Sequence, residues 1–507
     1  MNLKKLLSEN TVLISILSLS AALMAWGITW GLPLRKGHID EAVVVFYTMR
    51  FFTGDLNPHV FFDYPTLYLY LLGALYSIFF LIGKLFGLFS SLDQFAGVYL
   101  HGDASAFYVI GRALSLFFGT GSVYLVYRIG KENFKNGLLP ALLMALIPIN
   151  NLFAHYAMVD TAAVFFLLLA FFFFARSFNT DRPYALYLGS FILGLGTAAK
   201  YYPAVFFIPV FIYYAFRKDF RIIPASGLLL AGFIAGCPYA LLDFHAFSSR
   251  FIDRFQYIIW GNSGTLSAVF GHGANGAGQF TKLSLVLKAF ANTFSPPLFL
   301  ALTAGCVIFC YRQRVSRYLL LWAAPSAVYL LFVFSWNVIS PHYLMPVIPF
   351  MILAGLYGID KINTAGRVKT IVILVLCLLP AYQTIRTDHI LAKEDTRITA
   401  YKWMKMNISP GARILRFANT PEFSNTDPYG VLVDWEDRYT LLPDKTIASS
   451  FDYVITSRFG AVNGELSEFE RSLMKYYTVK NEWGAVPLAS FHHPRILLFE
   501  KKQGKTK

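Results

Sequence analysis

Asp40 and Glu41 stand side by side in GHIDEAVVVFYTMR, just after the first long apolar run. Asp160 stands in AHYAMVDTAAVFF, between two further apolar runs with almost no loop around it. A carboxylate that is positioned and partly desolvated can take the proton of an attacking hydroxyl. Two carboxylates sharing a site raise one of the two pKa values and favour that role. The plainer readings are an acid pair favoured by a helix dipole and an Asp that caps a helix. Cationic and aromatic outliers accompany the acids. Lys200 lies in GLGTAAKYYPAVFF, Arg112 in YVIGRALSLF, and His342 with Tyr343 in SPHYLMPVIP. Cations near a membrane interface can bind an anionic lipid headgroup, and Arg suits phosphate especially well. Snorkelling of the Lys200 ammonium to the interface is its plainer reading.

The elements that must position these residues are membrane helices. Of 507 residues, 56% are apolar and 14% charged, and the mean hydropathy is +0.51. A soluble domain averages about 25% charged residues. Apolar runs fit spans at 12–32, 107–129, 138–154, 161–177, 184–199, 201–216, 222–240, 284–310, 318–336, 343–358 and 370–387. A span needs roughly 20 apolar residues. The first run continues to Leu34, which reads as an uncleaved anchor rather than a signal peptide. With Lys4 and Lys5 inside, the short inner loops carry Arg128/Lys131/Lys135, Arg176/Arg182, Arg217/Lys218/Arg221, Arg312/Arg314/Arg317 and Lys361/Arg367/Lys369. The loops 155–160 and 337–342 carry no Lys or Arg, as the positive-inside rule requires. This alternation holds if the apolar stretch 66–90 is an interfacial or re-entrant part of a long first outer loop, 33–106.

Charge divides the chain. Residues 1–387 hold 14 of the 29 acids and residues 388–507 the other 15. The expectation is an α-helical polytopic membrane protein with about eleven transmembrane helices, followed at 388–507 by a small extracytoplasmic α/β domain. In that tail, 394–407 and 464–477 have helical spacing, and 412–417, 431–435, 452–457 and 495–500 read as strands. The formal charge of +15 lies in loops between apolar runs, so a nucleic-acid partner is not expected. Cys237, Cys306, Cys310 and Cys377 lie in apolar stretches and show no metal-ligand spacing with His. Nine acids of the membrane part fall on the outer side, including Asp40, Glu41, Asp63, Asp160 and Asp243, which implies a polar cavity there.

An ordered series of short motifs carries a resemblance. Asp40-Glu41 is followed by DLNP (55–58), YPTLY (64–68), GRALS (111–115), HYAMVD (155–160) and AKYYP (199–203). PYALLD (238–243), HYLMP (342–346) and DTRITAYKW (395–403) complete it. The chain resembles the glycosyltransferase family 39 group of GT-C membrane enzymes, which includes protein O-mannosyltransferases and the bacterial aminoarabinose transferase of lipid A. The resemblance implies a GT-C fold and transfer of a single sugar from a polyprenyl-phosphate donor on the outer side of the inner membrane. Carried across, Asp40 is the general base, Glu41 contacts sugar or acceptor, and Asp160 is the second acid. Tyr343 falls in the aromatic and proline segment near the lipid phosphate. Tyr64 takes the place of a lysine that holds the phosphate in the aminoarabinose enzyme, so Lys200, Arg112 or His342 must substitute. The Trp-Trp-Asp signature of oligosaccharyltransferases is absent.

The chemistry fits apart from the name. A lipid-linked phosphosugar stays in the bilayer, so an acceptor hydroxyl of a glycan, lipid or protein must be brought to it. Direct attack at the anomeric carbon inverts its configuration and expels polyprenyl phosphate. Phosphate is a good leaving group, so no metal cofactor is required, although Asp40, Asp160, His245 and His272 are a set that could bind a divalent cation. The outer loop 238–283, Gly-rich at 271–278, is expected to roof the cavity, with a plain flexible loop as the blander reading. The alternative is a transporter or flippase of lipid-linked sugars. It would be expected to show inverted repeats and ionisable residues near mid-membrane, and the sequence displays neither.

Overall fold

The computed structural model describes residues 3–502 apart from 36, 60, 261–278, 314–315, 337–339, 364, 424–426, 434–449, 460–465 and 485–491. It divides into two compact units. The first is Met1–Trp26, Val43–Gly102 and Ala106–Asp388, and the second is Gly27–Ala42, Asp103–Ser105 and His389–Lys507.

The first unit is helical. Four long apolar helices able to cross a bilayer are Leu3–Ala25, Leu67–Leu85, Ser105–Phe134 and Asp160–Thr180, and Gly366–Leu391 is a fifth. The pair Val286–Phe294 and Pro296–Gln313 is together long and apolar enough to cross but bends by 107°. Shorter apolar helices are Pro183–Ala199, Tyr202–Phe216, Ile222–Gly236, Ala324–Phe334 and Ile348–Asp360. The chain is therefore an α-helical polytopic membrane protein, with roughly the number of apolar helices that its hydropathy suggests.

Several spans expected to be continuous are broken where proline intervenes. The run 138–154 splits into Leu138–Leu146 and Pro148–Ala154, with Ile147 extended before the proline. The run 284–310 bends at Ser295, ahead of Pro296 and Pro297, with Ser295 at φ +68°. The stretch 66–90, read as interfacial or re-entrant, contains one 19-residue helix, which by length and composition is also long and apolar enough to span. Part of the expected outer loop 238–283 is the helix Phe244–Trp260.

Helix direction sorts the charges. Asp160–Thr180 and Pro183–Ala199 are neighbours joined by a two-residue turn, so they run antiparallel. At the turn end, Arg221 donates to Asp181 and Asp219, and Glu132 accepts from Arg128 and Arg176. Asp160 and Lys200 occupy the other end. Close helix contact depends on glycine at one crossing in particular. A Cβ on Gly358 would lie 1.8 Å from the Gly305 carbonyl oxygen, so Pro296–Gln313 and Ile348–Asp360 meet backbone to backbone.

The second unit contains a five-stranded sheet of order β2-β1-β3-β5-β4, with β1 Arg413–Arg416, β2 Gly430–Val433, β3 Tyr453–Arg458, β4 Tyr477–Trp483 and β5 Arg495–Lys501. β1 runs parallel to β2 and β3, and β5 is antiparallel to β3 and β4. Alternate residues serve opposite faces. Leu415, Val454, Leu497 and Phe499 form one apolar cluster. Ile414, Ile455, Ile496 and Leu498 form another with Ala400 and Met404 of the helix Thr396–Asn407. The strand β4 lies largely beyond the expected helix 464–477, whose helical part among the described residues is Glu468–Leu473.

Candidate functional site

Asp160 opens its helix, and Lys200 follows the last residue of the antiparallel neighbour. The short connection between these helices therefore sets an N-terminus beside a C-terminus. Lys200 Nζ donates to Asp160 Oδ1 at 2.6 Å. Asp160 is 1% exposed and Lys200 9%, so this is a buried ion pair rather than a snorkelling lysine. Asp160 Oδ2 makes no hydrogen bond among the described residues. The ammonium also lies 5.7, 5.9 and 5.6 Å from the ring centres of Tyr64, Tyr202 and Tyr343. Three phenol faces thus supplement the carboxylate in stabilising the positive charge.

These groups border a cavity of about 270 Å³. Tyr64, Lys200, Tyr202, His342 and Tyr343 line it, and Phe251, Phe255, Ile258, Phe332 and Trp336 supply apolar wall. Arg254 and Asp63 add charge. Asp63 Oδ2 accepts from Arg250 Nη2 at 2.8 Å, while Arg254 Nη1 lies 3.8 Å from Asp63 Oδ1. Both arginines come from the helix Phe244–Trp260, four residues apart and so on one face. A site lined by Lys, Arg and His together with aromatic side chains suits an anionic head carrying an apolar tail.

A second polar group ties the 55–59 loop to the residues just before that helix. Asn57 Nδ2 donates to Asp243 Oδ2 at 2.8 Å. This hydrogen bond, with the Ala246 N–H, holds the Asp243 carboxyl below its ordinary pKa.

Of the residues singled out in the sequence, Tyr64, Asp160, Lys200, His342 and Tyr343 come together here. The close partner of Asp160 is a cation and not a second carboxylate. Arg112 is not among the cavity-lining residues. It is 1% exposed within Ser105–Phe134, its guanidinium 6.0 Å from the Tyr108 ring centre. Asp40 and Glu41 begin the helix Ile39–Arg50 and belong to the second unit, with Glu41 1% exposed. His272 and the Gly-rich 271–278 lie outside the described residues, and His245 is on Phe244–Trp260. Among the described residues, no three His, Cys, Asp or Glu side chains gather in a way that could hold a metal ion. The sequence reading missed Arg254 and Tyr202, and gave Asp63 no role of its own. Arg250 and Arg254 at helical spacing among Phe247, Phe251 and Phe255 were the available sign.

Residues 97–239 match the family model described as Dolichyl-phosphate-mannose-protein mannosyltransferase. Comparison with curated proteins gives no match. Among solved structures, ArnT from Cupriavidus metallidurans in the apo state is similar at TM-score 0.53 and 11% identity, over 97% of this chain and 98% of that one. The same protein bound to undecaprenyl phosphate gives 0.51 and 11%, over 96% and 97%. Archaeoglobus fulgidus oligosaccharyltransferase, tethered with an acceptor peptide containing the NVT sequon, gives 0.50 and 14%, over 97% of this chain and 74% of that one. At such identities the likeness is one of fold. The chain is a polytopic membrane protein of the GT-C glycosyltransferase fold, similar to glycosyltransferase family 39.

Proposed function

We propose that this protein transfers a single sugar from a polyprenyl-phosphate donor to an acceptor hydroxyl on the outer side of the inner membrane. The observation that carries the reading is the buried Lys200–Asp160 pair in a tyrosine-lined cavity that Arg254 and His342 also border. Similarity to ArnT, a protein solved with undecaprenyl phosphate, supports the choice of a lipid phosphate. Lys200, Arg254 and His342 bind the phosphate, Tyr64 and Tyr343 flank it, and the Phe251–Phe255 wall receives the first lipid carbons.

In the reaction, Asp40 accepts the proton of the acceptor hydroxyl. The acceptor oxygen forms its bond to the anomeric carbon as the bond to the phosphate oxygen breaks. Configuration inverts, and polyprenyl phosphate leaves with its charge met by Lys200 and Arg254. Glu41 contacts the sugar or acceptor. Asp160 holds the Lys200 ammonium with one oxygen and has the other available for a hydroxyl. No divalent cation is needed for these steps. The domain that follows residue 388 is extracytoplasmic in this reading.

The test uses purified protein in detergent with a radiolabelled polyprenyl-phosphate sugar. Polyprenyl phosphate should be released only when acceptor is present. Asp40→Asn should lower turnover by about 10²–10⁴-fold, the range for loss of a general base, while lipid binding persists. Full activity in Asp40→Asn would remove Asp40 from its role.

A further inference from the structure

We infer that Arg397, deep in the second unit, is a positioning residue that fixes the backbone leading to Asp40 and Glu41. The inference rests on the proposed role of Asp40 and adds to it the device that holds this residue in place.

Arg397 lies in the first turn of Thr396–Asn407 and is 1% exposed, as is Asp395. Asp395 caps that helix by accepting the Arg397 N–H at 2.9 Å. Its two oxygens also accept the guanidinium side-on, from Nε at 2.7 Å and Nη2 at 2.9 Å. The His493 N–H adds a fourth bond to Asp395, at 3.3 Å. One arm of the fork is left over. Nη1 donates to the Gly37 carbonyl at 3.2 Å, three residues before Asp40. A guanidinium can bind a carboxylate side-on and still aim a further donor in a fixed direction, which an ammonium cannot.

Stability alone is a poor reason to keep such a pair. Replacing a buried ion pair by well-packed apolar side chains is often neutral or stabilising. The other ties on the same segment show what the pair serves. The Arg35 N–H donates to Glu422 Oε2 at 2.9 Å. The Trp30 ring meets His492 edge-on at 4.1 Å. Gly27, at φ +92°, packs so tightly on Leu391 that a Cβ would come within 2.9 Å of the leucine Cβ. Residues 27–37 are thus held at four points by 391–492 of the same unit, and the helix carrying Asp40 and Glu41 starts two residues later. The unit is a clamp on the acid pair, and of these four ties Arg397 is the nearest to it in the chain. Displacing a reacting group by 1 Å can cost about 10²-fold in rate.

The experiment compares Arg397→Gln, Arg397→Lys, Glu422→Ala and Asp40→Asn in the full-length protein with polyprenyl-phosphate sugar as donor. Arg397→Gln should lower kcat by about 10²-fold with donor KM unchanged, and Arg397→Lys should recover only part of it. Hydrogen exchange should quicken at amides 35–41 and stay slow in β5. Turnover equal to wild type in Arg397→Gln, or a rise in donor KM at constant kcat, overturns the inference. If Arg397→Gln also loosens β5, Glu422→Ala decides, since it removes the Arg35 tie and leaves the buried pair whole. Reduced kcat there supports the clamp, and unchanged kcat overturns it. An inactive Asp40→Asn beside a fully active Arg397→Gln rejects the clamp and keeps the base. An active Asp40→Asn rejects the base itself.

Discussion

Removing the ammonium of Lys200 separates what its charge does for the fold from what it does for the ligand. Two unit charges 2.6 Å apart attract by about 6 kcal/mol at an effective dielectric constant near 20. Desolvation of both groups offsets most of this. Deleting one partner is different, because it leaves a buried carboxylate alone and typically costs about 3–5 kcal/mol. Lys200→Met should therefore destabilise the helical unit by about 3 kcal/mol. Adding Asp160→Asn removes the stranded charge and should restore about 2 kcal/mol of that loss as coupling energy. Binding of polyprenyl phosphate should behave otherwise. It should weaken in Lys200→Met and stay weak in the double variant, since neither keeps a cation at that point. Thermal unfolding in detergent and a lipid-binding titration read the two quantities separately. A double variant no more stable than Lys200→Met would refute the stranded-charge argument. Undiminished lipid affinity in both would refute the phosphate role.

Arg254→Gln should weaken polyprenyl phosphate binding by about tenfold, on the order of one charge-assisted hydrogen bond, with little change in melting temperature. Gly358→Ala should destabilise by about 1–3 kcal/mol, because the added methyl meets the Gly305 carbonyl; a denaturant titration checks this. Burial lowers the pKa of His493 from its ordinary 6.5, so it folds as the neutral imidazole. Its contribution to stability is present above pH 6.5 and is lost as pH falls through that value toward the lowered folded pKa. Melting of the second unit between pH 5 and 8 should follow this trend, and His493→Gln should flatten it.

The sequence exposed residues whose chemistry clashes with their apolar surroundings. Lys200, Asp160 and His342 were legible because a charged or titratable group at the end of an apolar run needs a partner, and they share one site. Arg254 was harder to see. It sits in a mixed aromatic and basic stretch that reads equally well as an outer loop. Arg112 does not line the Lys200 cavity, and its sequence surroundings could not show this, because a buried arginine in a helix looks the same whichever space or packing face it serves. Proline positions were in plain view, yet apolar length outweighed them, so the breaks at Pro148 and Pro296 were read through. β4 escaped although Tyr477, Val479 and Trp483 alternate with Thr478, Lys480 and Glu482, because the helical spacing over 464–477 runs into its first residue. Nothing local to 27–42 announces that it packs with 389–507, since that pairing depends on contacts far apart in the chain.

That distance matters for how the protein is made. The Gly37–Arg397 and Arg35–Glu422 bonds close loops of 360 and 387 residues. Segment 27–42 leaves the ribosome early, and its partners emerge only after the whole helical unit has been synthesised and inserted. Contacts of such sequence separation form late and slowly. The ties on the segment before the acid pair therefore form near the end of biogenesis, and chains arrested before residue 390 would carry the Lys200 cavity without the ties that hold the segment leading to Asp40.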